Sequence, residues 1–147
     1  MLRKALLALI LLPGSFSAQT PAPWYGTWTL RTANPQYKRI TSRIEPREDG
    51  LNVTYEMVGV RGGVTHMEWT GKFDGRDYPM QGVDSVLTNA YRKIDDRSYE
   101  IVIKIEGGVR ATARVVVFPD GKTLQVVTQS STASGQPVTT TAVYDRQ

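Results

Sequence analysis

The feature that most constrains this chain is a two-residue hydrophobic period, broken at regular intervals by turn-forming dipeptides. Leu51, Val53, Tyr55 and Met57 alternate with Asn52, Thr54 and Glu56, and Tyr99, Ile101, Ile103 and Ile105 alternate with Glu100, Val102, Lys104 and Glu106. Successive side chains of an extended strand point to opposite sides, so this pattern marks strands with one buried and one hydrated face. Between the runs lie Asp49-Gly50, Gly62-Gly63, Asp74-Gly75, Asp95-Asp96, Gly107-Gly108, Asp120-Gly121 and Ser134-Gly135, which supply the positive φ of tight hairpins. The pattern predicts strands over 24–31, 39–45, 51–58, 64–73, 77–81, 85–94, 99–106, 109–118, 123–130 and 137–144. Links this short make each strand antiparallel to the one before it. A meander of eight to ten strands keeps two unpaired edges unless it rolls up. The expected fold is therefore all-β, an antiparallel up-and-down meander closed into an eight- to ten-stranded barrel.

The first residues follow a different logic. Arg3 and Lys4 precede the apolar run Ala5–Leu12, Pro13-Gly14 ends it, and Ser15-Phe16-Ser17 places small residues where a signal peptidase needs them. The run is shorter than the roughly 20 residues that cross a bilayer. Residues 1–17 thus read as a signal peptide, 18–23 as a short proline-bearing lead-in, and 24–147 as one barrel domain. The expected location is secreted or periplasmic. Two of the 18 basic residues leave with the signal, so 16 remain against 14 acidic ones, a net charge of +2. The arginines are scattered among carboxylates, which gives no stripe for nucleic acid.

The chain has no cysteine, which removes thiol catalysis, a lipidated cysteine anchor and thiolate metal sites. Without disulfides the fold rests on its core, and about 130 residues can bury roughly two-thirds of the unfolded chain's surface. Asn52-Val53-Thr54 matches a glycosylation sequon, a pattern that also arises by chance. Membrane barrels alternate too, but they must turn an apolar face outward. In the pair 99–106 and 109–118 the apolar set is Tyr99, Ile101, Ile103, Ile105, Val109, Ala111, Ala113, Val115 and Val117. The opposite set carries Glu100, Lys104, Glu106, Arg110 and Arg114. So narrow a barrel has no room for those charges inside. No membrane insertion is expected once the signal is removed.

Residues that could carry chemistry are few. His66, the only histidine, falls beside Glu68 on the face opposite Met67 and Trp69, which reads as a surface pair; a zinc site needs three or four ligands and a triad needs a nucleophile. Asp95-Asp96-Arg97 and Glu45, Glu48 and Asp49 fall at hairpin turns. The Asp-Gly steps lack the interleaved acidic ligands of a calcium loop, and no phosphate-binding or nucleophile-elbow motif occurs. No catalytic residue, metal or cofactor is expected. The inward set says more. Tyr55, Met57, Met67, Trp69 and Tyr144 are large, whereas Ala111, Ala113, Thr140 and Ala142 are small. Small residues on neighbouring strands can leave a hollow lined by aromatics and methionine, and the same large residues could instead fill it. Strand 85–94 admits two inward faces, Val86-Ala90-Ile94 or Leu87-Asn89-Tyr91; the first would bring Arg92 inside.

Gly26-Thr27-Trp28 on the first strand resembles the G-x-W signature of the calycins, the superfamily of lipocalins and fatty-acid-binding proteins. The resemblance implies that Trp28 closes one end of the barrel under a basic residue near the C-terminus, here Arg146. The last strand, Thr139–Gln147, is similar to that of fatty-acid-binding proteins, whose Arg and Tyr hold the ligand carboxylate. Tyr144 matches the Tyr, but Ala142 stands where the Arg would be, and 32–38 is too short for that family's helical lid. With Asp74-Gly75-Arg76-Asp77-Tyr78-Pro79 and Asp120-Gly121-Lys122, the pattern looks more like small secreted lipocalin-like proteins of bacteria. Together these features lead to an exported lipocalin-like barrel that is not an enzyme and encloses a small hydrophobic ligand, with Tyr55, Met57, Met67, Trp69 and Tyr144 as ligand-binding residues. The alternative is a solid barrel acting as an envelope-associated interaction module.

Overall fold

A computed structural model describes residues 20–147; residues 1–17, read from the sequence as a signal peptide, lie outside the described residues. Ten strands follow in chain order: β1 Gly26–Leu30, β2 Tyr37–Arg47, β3 Gly50–Gly59, β4 Val64–Lys72, β5 Tyr78–Gln81, β6 Leu87–Asp95, β7 Ser98–Ile105, β8 Gly108–Val117, β9 Thr123–Ser131 and β10 Pro137–Arg146. Each pairs antiparallel with its neighbours, and β1 pairs with both β2 and β10, so the meander is a closed up-and-down barrel. The turns between strands use the expected chemistry. Asp120 accepts hydrogen bonds from the backbone N–H of Lys122 (2.8 Å) and Thr123 (3.1 Å), and Asp95 accepts from Arg97 N–H (2.9 Å) and Ser98 Oγ (2.8 Å). These bonds favour the ionised form and hold both carboxyls below their ordinary range. Asp95 is a turn former here.

The inner face follows the alternation. Cross-strand register aligns Trp28 with Ser42, Ser42 with Tyr55 and Tyr55 with Met67, and on the far wall Asn89 with Ile103 and Tyr91 with Ile101. For β6 this selects Leu87, Asn89 and Tyr91 as the inward set; Arg92 is exposed on the outside. One expected inward residue is displaced. A register shift between Ile103 and Lys104 pairs Lys104 with Val109. The bulge flips Val109 off the interior, since one extra residue reverses strand parity, and Val109 is exposed. The adjoining hairpin turns on Glu106 (φ 52°) and Gly107 (φ 80°) rather than on Gly107-Gly108.

The first strand begins later than its aromatic composition predicts. Trp24 and Tyr25 precede β1 in a turn closed by Tyr25 N–H to Ala22 C=O (3.2 Å). Trp24 enters the barrel floor edge-on to Phe73 and Tyr99, at 5.6 and 5.3 Å between centroids. Residues 22–25 are therefore part of the floor, and Ala22 packs against the core.

Arg146 locks this floor. Its guanidinium lies 4.2 Å from the Trp28 ring centroid, as the resemblance implied. Its nitrogens donate to the carbonyls of Gly121 and Tyr25, each at 2.7 Å, and of Pro23. The Trp28 indole N–H in turn donates to Trp24 C=O (2.9 Å). Gly26 makes room for this arrangement. Its φ is +136°, and a Cβ there would sit 2.5 Å from an Arg146 nitrogen. Arg146→Lys keeps the charge but not the planar fork, and it is expected to lose about 2–3 kcal/mol of stability in urea unfolding. Gly26→Ala should be at least as damaging, because it combines backbone strain with displacement of the guanidinium.

Candidate functional site

The interior divides into two levels. At the floor, Trp28, Leu51, Val53, Trp69, Tyr91 and Val117 are fully buried. Trp69 stacks on Tyr91 with centroids 3.9 Å apart and planes 12° apart. The Trp69 indole N–H points at the carbonyls of Tyr78 (3.1 Å) and Asn89 (3.2 Å). It thereby ties β4 to β5 and β6, where the short β5 offers only two aligned residue pairs on each side. Gly71 clears the space, since a Cβ there would lie 2.6 Å from the Trp69 ring. The lower barrel is packed solid.

Toward the other end, inward-facing side chains are reached by solvent. Leu87, Ile103, Ile105, Val126, Ala142 and Met67 are half-buried, and Thr65 and Thr140 are exposed although their register points them inside. The barrel is thus a cup, closed below and open above. Four rim valines, Val60, Val64, Val86 and Val109, are each more than half exposed. The outward face carries Glu56, Glu68, Arg92, Glu100 and Arg114.

Between the two levels lies a cavity of about 80 Å³, bounded by Trp28, Ser42, Tyr55, Tyr99 and Tyr144 with aliphatic side chains from β2 and β7–β9. The Tyr55 hydroxyl lies beside those of Ser42 and Tyr91. The buried Tyr91 hydroxyl has no well-aligned hydrogen-bond partner among the described residues, and neither does Asn89 Oδ1. Burial raises the pKa of Tyr55, Tyr91, Tyr99 and Tyr144, and mutual repulsion with Tyr55 adds to the effect at the other three. All four phenols stay protonated and uncharged at neutral pH.

Of the five residues singled out from the sequence, Tyr55 and Tyr144 line this cavity. Trp69 does not: it lies in the solid floor, where its stacking and hydrogen bonds are structural. Met57 is buried on the inner face higher up, opposite Ile40 and Thr65. Met67 is half-buried at a notch with His66, Gln81 and Gly82, where β5 has ended. Sequence reasoning missed Ser42 and left Tyr99 among general apolar residues. The parity of β2, with Ile40 and Ile44 inward, was the available signal for Ser42.

His66 is exposed on the outer face across from Glu56. The expected pairing with Glu68 gives way to another: Glu68 Oε1 accepts from Asn52 Nδ2 (2.7 Å). Among the described residues, no three His, Asp or Glu side chains converge.

The raised phenol pKa values carry a sign. A proton held more tightly in the folded state means stability is intact below the unfolded value near pH 10 and is lost as pH rises above it. Phenolate absorbance followed through an alkaline titration should show Tyr55, Tyr91, Tyr99 and Tyr144 ionising only with unfolding. Reversible ionisation of all seven tyrosines in a folded protein would contradict this. A search of protein-family models gives no match to this chain, and neither does a search of curated protein sequences.

Proposed function

We propose that this protein is an exported, lipocalin-like binding protein that takes a small, mostly apolar molecule into the open half of its barrel. The observation that carries the reading is the asymmetry of the inner face: an apolar wall above a solid aromatic floor is left open to solvent. Monomeric proteins seldom leave apolar residues contiguous and wetted unless something covers them. The Gly26-Thr27-Trp28 opening and the leader at 1–17 support the same reading, the first by its likeness to calycins and the second by its likeness to signal peptides. The ligand sits on the cup wall with one end at the cavity. The cavity of about 80 Å³ is well below the roughly 300–1,000 Å³ of pockets that engulf drug-sized ligands, so most of the ligand lies in the open cup.

The small cavity volume also favours a second reading, a ligand-free barrel that serves as an envelope-associated interaction module. Uptake of a fluorescent apolar probe such as N-phenyl-1-naphthylamine separates the two. Wild-type protein should bind the probe, and Ala142→Trp, which fills the cup beside Val126, should weaken binding about tenfold with its thermal midpoint little changed. A folded wild-type protein that takes up no apolar probe, and emerges from its host without bound small molecules in native mass spectrometry, would overturn the carrier reading in favour of the solid module.

A further inference from the structure

We infer that the cup selects ligands with an uncharged oxygen-bearing head, a hydroxyl or carbonyl group, and rejects carboxylates and ammonium ions. This inference rests on the carrier reading above. Between Trp28 and the rim, the inward positions of the ten strands hold apolar residues, Ser, Thr, Asn and Tyr, and one charged residue by parity, Lys93 opposite Tyr99, whose side chain is exposed and paired with Asp96. The three cations with inward parity, Lys93 among them, are spoken for or remote. Arg146 lies at the floor, its guanidinium held by Trp28 and three backbone carbonyls. Lys38 sits in a bulge at the rim and is exposed. A carboxylate at the cavity would meet no countercharge, and an ammonium would meet no carboxylate. Burying an unpaired ion is strongly unfavourable.

The hydroxyls at the cavity supply what a neutral head needs. Tyr55 and Ser42 line the cavity side by side, and the Tyr91 hydroxyl lies near that of Tyr55. The Tyr91 hydroxyl is buried without an aligned partner, which leaves a donor-rich patch incomplete. An oxygen atom placed beside Tyr55 and Tyr144 would accept from these phenols. Desolvation and mutual repulsion already disfavour negative charge among these four tyrosines, so the same environment disfavours an anionic guest. The cavity suits a head of this size and not a chain.

A matched series tests the assignment: decanol, decan-2-one, decanoate and decylammonium displacing N-phenyl-1-naphthylamine from delipidated protein at pH 8. Decanol and decan-2-one should compete at least about tenfold better than either ion. Decanoic acid should gain as the pH falls through the carboxyl range near 4–5. Tyr55→Phe should reduce the advantage of the neutral heads to about threefold while leaving probe affinity unchanged, and Tyr144→Phe provides an independent variant should Tyr55→Phe fold poorly. Decanoate or decylammonium competing as well as decanol at pH 8 overturns the head-group assignment, as does displacement by none of the four from protein that binds the probe. Failure of the probe itself to bind overturns the carrier reading and the head-group assignment with it.

Discussion

Closure of the sheet depends on one side chain, Arg146, whose guanidinium lies face-on to Trp28 and reaches carbonyls from two other segments of the chain, Pro23 and Tyr25 on one and Gly121 on the other. The seam it secures is thin, with only three aligned residue pairs between β1 and β10. Ladder hydrogen bonds alone would leave this seam prone to open, because a short edge contributes little per residue. A half-buried cation held over an indole and bonded to three fixed carbonyl dipoles is well satisfied, and it holds residues 23–25 and the C-terminal strand in one place. The same contact orders residues 22–25, which would otherwise be a loose lead-in.

From that lock the aromatic floor follows. Trp24 can enter the barrel because Arg146 holds its neighbours' carbonyls, and Phe73, Tyr91 and Tyr99 then pack on it and on Trp69. Trp69 repairs the other weak seam, around β5, by donating to β5 and β6 at once. With both seams secured from below, the upper strands need no filled core to stay paired. An open cup is therefore compatible with a stable barrel, and its wall can be shaped by binding rather than by packing.

Much of this was legible in the chain. Ten strands, their order and the inward parity of β3, β4, β7 and most of β8 all follow from a period of two punctuated by Asp and Gly. Gly26, Trp28 and Arg146 were identifiable as a set through the G-x-W resemblance. What misled was a residue-type argument: Trp69 and the two methionines were grouped with Tyr55 and Tyr144 because all five are large and inward. Inward direction does not set height along the barrel, and height is what separates floor from cavity.

Alternation is a local property, set by the backbone of each strand, so the sequence by itself determined a closed meander and the inward face of most strands, though not that of β6 or of the start of β8. Register between strands is not local. It depends on hairpin geometry, on bulges such as the one that expels Val109, and on the stagger needed for β1 to meet β10. Only the tertiary structure decided that Ser42, Tyr55 and Tyr144 share one level while Trp69 lies beneath it, because that requires strands distant in the chain to be brought side by side.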